Sequence, residues 1–410
     1  MRLKAILVAL LVSFNLMAQE DPQNLRYSVS GTVIDSENGR ALQYVTVTIP
    51  GMRYATVTNA DGGFTIKSAD QPERIEFNLL GYKTSWIGMP ADNAPVTVKM
   101  VKSSLTLDAA RVISGNPYTI MGEAIEKIRD NYPAAPELFD CFYRETVQKR
   151  HRFIFVSEAV GRMLKTTYAR NTDGDRITVD KSRVLVSSNK RDTLSVKVVG
   201  GPAQAVDLDI VKNQALLTPE ELSKYILVMD PPESIGDRLQ FAIRLVPAFN
   251  TDYPLYEGTI YIDSETLAFT RFDLSLDMSD KEKVTRAILL GKPAGLRFTP
   301  TEVRIRYDYN QEDGVSRVSY VRISMRFKCD WKKKLIRSDF TAISELVTTD
   351  RHSGDITVIP RKESFGRRDA LSDMAAANYD PEFWKDYNII EPTESLDRAI
   401  EKIVKQSDKD

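Results

Sequence analysis

Apolar and polar residues alternate with a period of two in one run after another of this chain, and this pattern constrains the fold more than any other feature. Between residues 96 and 100, for example, two valines and a methionine alternate with Thr97 and Lys99. Successive side chains of a strand point to opposite faces, so each run predicts a strand with one buried and one solvated face. We therefore expect a mainly β protein.

The first unit, residues 25–102, consists of short runs of this kind separated by turn residues. The turns contain glycine, which adopts positive φ without steric cost: Asn38-Gly39, Pro50-Gly51, Asp61-Gly62-Gly63 and Gly81. Short strands with reversals between them predict a small antiparallel β-sandwich.

One motif series in this unit is distinctive. It comprises Gly31-Thr32-Val33-Ile34-Asp35, Val45-Thr46-Val47, Ala55-Thr56-Val57-Thr58-Asn59 and Asp61-Gly62-Gly63-Phe64-Thr65-Ile66. The series resembles the carboxypeptidase regulatory-like domain of bacterial envelope proteins. The resemblance implies a seven-stranded, transthyretin-like sandwich without catalytic residues of its own. The remainder of the chain resembles an uncharacterised family that accompanies this domain.

A larger β-rich unit is predicted over residues 118–378, after a linker over residues 103–117. A helix at its start is indicated by the residues at helical spacing after Pro117: Ile120, Met121, Ala124, Ile125 and Ile128. Strand periodicity then dominates, interrupted where Thr218 precedes a proline and two glutamates, which is typical of a short capped helix. Long strands with hairpin turns favour an antiparallel meander, either a curved sheet or a half-barrel.

The clearest hairpin joins residues 303–309 to residues 321–331 around Asp313 and Gly314. A two-residue loop would pair an apolar face with a polar one, whereas a three-residue loop through Val315 keeps the apolar faces together. We therefore predict the three-residue loop.

Four arginines of this hairpin are the candidate ligand-binding residues. The predicted register places Arg306 opposite Arg322, and like charges across a ladder are unfavourable unless an acid or an anionic ligand lies between them. With Arg304 and Arg326 they form a candidate strip for phosphate or carboxylate groups of a lipid or glycan. The alternative is a solvated face on which acids neutralise the arginines: Glu302, Asp308 and Asp330.

The chain has only two histidines, His151 and His352, and this limits metal chemistry. A zinc peptidase site needs a His-x-x-Glu pair and a third histidine, but Ile154 and Asp355 stand three residues after the two histidines. We expect no metal, no cofactor and no zinc carboxypeptidase site. Neither a Gly-x-Ser-x-Gly elbow nor a glycine-rich phosphate loop occurs, so the motifs indicate no catalytic residue.

Residues 1–18 predict a cleaved secretion signal, because Arg2 and Lys4 precede an apolar run that is too short to span a bilayer. The first cysteine is Cys141, so we expect no lipid anchor at the cleavage point. The expected location is the periplasm, or a peripheral association with the outer membrane. Cys141 and Cys329 could form one disulfide or remain two buried thiols.

Charge limits the class of partner. A formal net charge of −1 over 410 residues lacks the basic excess that non-specific nucleic-acid binding needs. The expected partner is an envelope protein, a lipid or a glycan.

Residues 379–410 predict an aromatic tail that packs on the sheet, followed by a closing helix. The helix is indicated by an apolar stripe: Leu396, Ala399, Ile400 and Ile403.

Three functions remain open. The leading hypothesis is a non-enzymatic binding or scaffold protein of the envelope. The second is a periplasmic lipid or lipoprotein carrier, because residues 258–263 and 267–276 faintly resemble strands of lipoprotein-carrier half-barrels. A carrier needs an open apolar cavity on its concave face, whereas a scaffold fills that face with Tyr, Phe and Leu side chains. The third is a hydrolase of an envelope polymer, which would need perturbed polar groups.

Overall fold

The fold is known from a computed structural model. It describes residues 25–90, 94–103, 115–187, 200–214, 216–289, 291, 293–331, 338–352, 356–373, 387 and 389–407. The predicted signal, most of the predicted linker and the first part of the predicted tail lie outside these residues. Within them, no helix combines the length and the apolar character needed to cross a membrane.

Seven strands form the first unit in the described residues. They are β1 (Tyr27–Asp35), β2 (Thr46–Thr48), β3 (Ala55–Val57), β4 (Gly63–Ser68), β5 (Arg74–Asn78), β6 (Ser85–Gly88) and β7 (Val96–Met100). They build two sheets, ordered β4-β1-β7 and β3-β2-β5-β6. Val33, Val47 and Phe77 are fully buried in one core between the sheets, so the predicted sandwich is confirmed.

One strand of the sandwich departs from the antiparallel expectation. β7 runs parallel to β1, with Val33 opposite Val98. β7 follows β6, which belongs to the other sheet, so a crossover and not a hairpin sets its direction. Periodicity identifies a strand without giving its direction, which is why the sequence did not show this.

Eleven strands form the second sheet. They are β8 (Glu137–Lys149), β9 (Arg152–Lys165), β10 (Arg176–Ile177), β11 (Lys181–Val186), β12 (Tyr225–Ile235), β13 (Arg238–Pro247), β14 (Tyr256–Asp263), β15 (Phe269–Leu276), β16 (Leu296–Glu312), β17 (Val315–Trp331) and β18 (Ser338–Arg351). The sheet is open and antiparallel, with the order β10-β9-β8-β18-β17-β16-β15-β14-β13-β12, and β11 also pairs with β9. From β12 to β18 each strand pairs with the next, which is the predicted meander.

Seven α-helical segments occur in the described residues. They are α1 (Pro117–Glu126), α2 (Ile128–Asn131), α3 (Gly201–Asp207), α4 (Ile210–Asn213), α5 (Pro219–Leu222), α6 (Lys281–Ile288) and α7 (Glu394–Ser407). The predicted start of α1 is confirmed: the Asn116 side chain accepts a hydrogen bond from the amide of Tyr118. The Thr218 hydroxyl accepts from the amide of Glu221 and caps α5 as predicted.

Helices α1, α3 and α4 pack on one face of the large sheet, which we call the helix face. Met121 and Val211 from these helices and Phe269, Phe272 and Tyr307 from the strands are fully buried in one core. Such large side chains close-packed between helices and sheet fill this part of the face.

The opposite face of the large sheet is the sandwich face. Helix α7 covers one end of it, where Leu396 and Ile400 pack against Val156 and Leu185. The apolar stripe predicted for the closing helix therefore packs within the molecule. The sandwich and residues 389–392 cover the middle, and their shared core includes the side chains Val57, Phe142, Tyr320, Val347 and Ile390.

The β16–β17 hairpin confirms the predicted pairing of Arg306 with Arg322, but the predicted three-residue loop is wrong. The loop has two residues, Asp313 and Gly314, whose φ angles of 52° and 77° belong to a type I′ turn. Ser319 has no partner across the ladder, and this bulge shifts the register by one residue before the arginines are reached. Counting residues cannot distinguish a bulge from a longer loop.

The two cysteines are free and buried. Cys141 belongs to the core on the helix face, and Cys329 belongs to a second apolar cluster near α6. Of the two alternatives left open by the sequence, the structure therefore has the two buried thiols.

Candidate functional site

A row of charged residues crosses the sandwich face at one register level. In the order of the strands from β11 to β15, it consists of Arg183, Glu158, Arg144, Glu345, Arg322, Arg306 and Asp273. Each residue is the cross-strand partner of the next, so the row is continuous. The signs alternate except at the two adjacent arginines of the predicted strip. We call this set the charge row.

One end of the charge row is a buried ion triad. Glu158 is fully buried between Arg144 and Arg183, and Arg144 Nε lies 2.6 Å from the Glu158 carboxylate. Arg183 also donates to this carboxylate. Burial alone would raise the pKa of Glu158, but the two guanidinium groups hold it below its usual value. Arg144 donates in addition to the carbonyl of Ile390, 2.7 Å away, which ties the segment before α7 to the row.

The centre of the charge row lies under the sandwich. The Tyr44 ring stacks on the Tyr320 ring at 5.7 Å, and the guanidinium carbons of Arg306 and Arg322 each lie 5.3 Å from the Tyr44 ring centre. Arg306 also binds Asp308 at 2.7 Å. These contacts offset the repulsion between the two arginines, because the aromatic faces and the acid both favour positive charge.

The four predicted arginines thus fall into two groups. Arg306 and Arg322 are mostly buried in the contact between the two units, whereas Arg304 and Arg326 are 61% and 65% exposed and share Glu302. The structure does not bring all four together on one accessible surface. Their role in ligand binding stays a prediction.

A cleft of about 310 Å³ lies where the sandwich meets the end of the large sheet. Both units line it, with residues that include Met52, Arg53, Asn78, Asn310, Gln311, Arg317 and Arg351. Arg53 donates to the carbonyl of Arg351, 3.3 Å away. Arg317 binds both oxygens of Glu137 at 2.9 Å, so its charge is already neutralised. The cleft therefore presents both acidic and basic side chains, without a strong excess of either charge.

Sequence reasoning missed a second buried set, the lysine–aspartate cluster of Lys165, Lys212, Asp175 and Asp209. Lys165 Nζ lies 2.7 Å from Asp209 Oδ2 and 2.9 Å from Asp175 Oδ2, and Lys212 Nζ lies 2.5 Å from Asp175 Oδ1. Two positive and two negative groups make the cluster neutral, as burial requires. Only Asp209 and Lys212 share a segment, and Lys165 and Asp175 come from two others, so no sequence spacing marks the set.

The cluster holds helix α4 against the strands. Asp209 caps α4 through the amide of Lys212 and accepts hydrogen bonds from the hydroxyls of Tyr168 and Tyr309, at 2.8 and 2.7 Å. Lys212 also donates to the carbonyl and the hydroxyl of Thr166. All three protons of the Lys212 ammonium therefore have acceptors, which fits a structural role.

A second cavity, of about 500 Å³, adjoins this cluster between β10, α3 and residues 361–369. Ile177, Val206 and Phe365 contribute apolar surface to it. Charged residues of both signs surround them, and Arg367 is held by Asp207. The cavity therefore carries no clear charge preference.

The two histidines lie in different surroundings. His352 Nε2 is 2.7 Å from Asp140 Oδ1, a contact that raises the pKa of His352, and His151 is exposed at the turn between β8 and β9. Asp355, the other residue of the metal spacing considered above, lies outside the described residues. In the part of the chain that the structure describes, no three or more His, Cys, Asp or Glu side chains are grouped so that they could hold a metal ion.

The sequence of the first unit matches a known domain model. The matching model is that of the CarboxypepD_reg-like domain, and the match spans residues 29–112. Residues 29–112 are a CarboxypepD_reg-like domain. The CarboxypepD_reg-like domain supplies Tyr44 to the charge row and Met52, Arg53 and Asn78 to the cleft.

A curated relative matches about a quarter of the chain. It is the TonB-dependent receptor P3 of Formosa agariphila, 30% identical over 105 residues, which are 25% of this chain and 10% of the receptor. The chain thus spans about a tenth of the length of that relative.

Solved structures give weaker likenesses. A LolA superfamily protein from Nitrosomonas europaea has a TM-score of 0.22 at 11% identity, with 60% of this chain and 96% of that one covered. An outer membrane lipoprotein-sorting protein domain from Vibrio parahaemolyticus has a TM-score of 0.25 at 12% identity, with the same coverage. A membrane-associated protein from Bacteroides fragilis reaches 0.15 at 9% identity and covers 80% of this chain and 98% of its own. TM-scores at this level do not establish a shared fold.

Proposed function

We propose that the protein is a non-enzymatic binding protein of the cell envelope, in which the CarboxypepD_reg-like domain and the large sheet together form the binding surface. The observation that carries the proposal is the cleft, because both units line it. Sites between two packed units are preferred positions for ligands and partners. The chemistry of the cleft suits a polar ligand, such as a glycan or an extended peptide of an envelope protein.

The contacts beside the cleft support a composite surface. The Thr56 hydroxyl donates to the carbonyl of Ile389 at 3.0 Å, and Asn59 donates to the carbonyl of Pro392 at 3.0 Å. Lys67 donates to the carbonyl of Tyr387 at 2.9 Å. Residues 387 and 389–392 therefore bind the first unit, and Ile390 also binds Arg144 of the large sheet, so this segment connects the two units that line the cleft.

The experiment is site-specific photo-cross-linking in the cells that express the protein. A benzophenone amino acid replaces Met52 in one variant and Gln311 in another, which places one probe on the wall that each unit contributes to the cleft. A third variant carries the probe at Glu401, which is exposed on α7, as the control. We expect the two cleft variants to yield an adduct of the same added mass, and the control to lack it. Adducts that differ between the two walls, or that form at all three positions, would contradict the proposal.

A lipid or lipoprotein carrier is the second candidate, because one part of the helix face is less covered than the rest. Ile323, Met325 and Ser344 are only partly buried there, whereas Phe269, Phe272 and other residues under the helices are fully buried. A carrier function would use this part of the face, so purified protein should retain a stoichiometric lipid in native mass spectrometry.

A further inference from the structure

The helix face contains one polar row between two apolar rows. The register places Glu145 between Ser157 on β9 and Ser344 on β18, and all three point to the helix face. The flanking rows are apolar on both sides: Phe155, Val147, Ala342 and Met325 on one, and Ala159, Tyr143, Leu346 and Val321 on the other. A polar residue buried between apolar rows destabilises the fold unless its polar groups form hydrogen bonds.

The polar groups of this row are not fully satisfied by the described residues. Ser157 is fully buried, and its hydroxyl has no hydrogen-bond partner there. Glu145 is 3% exposed and accepts a hydrogen bond of 3.1 Å from the Tyr143 hydroxyl. Buried polar groups are paired in the great majority of cases, so each exception needs an explanation.

Glu145 also differs from the other buried acids in its electrostatic surroundings. Glu158 lies between two arginines, and Asp209 binds a lysine. At Glu145 the influences on the pKa are burial and the Tyr143 hydroxyl, without any contribution from a basic side chain. Burial raises the pKa of Glu145 to about 7, so near neutral pH a large share of these carboxyl groups is protonated. A protonated carboxyl can donate a hydrogen bond to a carbonyl oxygen.

The row is bordered by apolar side chains that are only partly buried. Ile323 is the cross-strand partner of Ser344, and Met325 lies in the next row of the same strand. Beyond Met325, the rings of Phe327 and Phe340 stack at 5.4 Å within the second apolar cluster. A hydrocarbon chain along this line would cover apolar surface and leave its polar end beside Glu145.

We propose that Glu145, Ser157 and Ser344 bind the carbonyl-containing linkage of an acyl lipid whose hydrocarbon chain lies along Ile323 and Met325. The Ser157 hydroxyl and the protonated Glu145 carboxyl donate to the carbonyl oxygen. The Ser344 hydroxyl donates its proton to Tyr143, so its oxygen accepts from an adjacent hydroxyl of the lipid. This site lies on the helix face and does not depend on the cleft. The other explanation of the polar row is a buried water that pairs these groups.

The test is the binding of 1-lauroylglycerol, a neutral acyl ester, to the delipidated full-length mature chain at pH 6.5, measured by native mass spectrometry and titration calorimetry. Ser157→Ala removes the unpartnered hydroxyl, and Glu145→Leu removes the carboxyl. We expect each variant to weaken binding by about tenfold, the scale of one hydrogen bond to a buried group. The control is Ser324→Ala, which removes a buried hydroxyl on the sandwich face and should bind like the parent.

Three results would overturn the proposal. They are the absence of saturable 1:1 binding by the parent, equal affinity of the parent and Ser157→Ala, and an equal loss of affinity in the control. Ser157→Ala changes little volume, so the test holds even if Glu145→Leu does not fold. If the protein binds lipid but the cleft variants form no common adduct, this inference stands and the proposed function fails. If the cleft variants form the adduct but no lipid binds, the proposed function stands and this inference fails.

Discussion

At the scale of single residues, burial decides the role of each charged side chain. Arg304 and Glu158 are both charged residues of the sandwich face, yet the Arg304 side chain is 61% exposed and Glu158 is fully buried. An exposed ion pair is screened by water and contributes little, whereas a buried charge without a partner is strongly unfavourable. Substitutions of charged residues on the same face are therefore expected to differ widely in their effect on the free energy of unfolding.

Glu158→Gln should be among the most destabilising single changes in the charge row. The amide keeps the shape of the side chain but leaves Arg144 and Arg183 buried without their shared counter-charge. We expect the free energy of unfolding to fall by about 3–5 kcal/mol. Arg304→Ala on the same face should change it by less than about 1 kcal/mol. Urea denaturation of both variants checks this, and a loss below 1 kcal/mol for Glu158→Gln would refute the importance of the triad.

Glu145→Gln should change how stability depends on pH. Burial raises the pKa of Glu145 from 4.5 to about 7, so between these values the folded state binds more protons than the unfolded state. The parent should therefore lose stability as pH rises through this window, by about 3 kcal/mol from this group. The variant lacks this contribution, so its stability relative to the parent should rise between pH 5 and pH 8. Parallel pH profiles of the two proteins would show that the Glu145 pKa is not raised.

At the scale of elements, local backbone geometry decides where a strand can run beside its neighbour. Gly258 in β14 has φ of 135°, and a Cβ there would lie 2.2 Å from the carbonyl oxygen of Asp273 on β15. Gly314 in the β16–β17 turn has φ of 77° but has open space around its Cα. Gly258 is required both by its positive φ and by the close approach of the Asp273 carbonyl. Gly314 is required by its positive φ alone.

Gly258→Ala and Gly314→Ala separate these two effects. We expect Gly314→Ala to lower the free energy of unfolding by about 1 kcal/mol, the cost of positive φ for alanine. Gly258→Ala should cost at least about 3 kcal/mol, since the strands must also move apart. Thermal or urea denaturation of the two variants gives the comparison. Equal losses would mean that the β14–β15 pair adjusts to the added methyl group.

At the scale of the whole molecule, the CarboxypepD_reg-like domain and the large sheet share one interface. Tyr44 lies at its centre with a positive φ of 59°, an unfavourable conformation for tyrosine that its ring contacts maintain. Residues 389–392, which precede α7, also bind both units. We therefore expect the units to unfold together.

Tyr44→Ala should weaken this coupling. Calorimetry of the parent should show one cooperative transition, and the variant should show two, because the ring contacts with Tyr320, Arg306 and Arg322 are lost. Tyr44→Phe keeps the ring and serves as the control, with one transition expected. A single transition in Tyr44→Ala would mean that the remaining contacts, such as those of residues 389–392, are sufficient for coupling.

The sequence by itself determined the local features of this protein. Alternation predicted the strands, and Pro117 and Thr218 allowed the helix starts to be predicted. The apolar faces predicted the pairing of Arg306 with Arg322, although the bulge at Ser319 made the loop prediction wrong. These features depend on residues a few positions apart, or on two strands joined by one turn.

Only the tertiary structure decided which distant residues meet. The charge row joins Arg183 to Asp273 across seven strands, and the lysine–aspartate cluster joins residues from separate segments. The same holds for the position of Tyr44 over the arginines and for the cleft. The physical reason is that the sheet order and the packing of the sandwich on one face depend on the burial of apolar surface over the whole molecule, which no short pattern records.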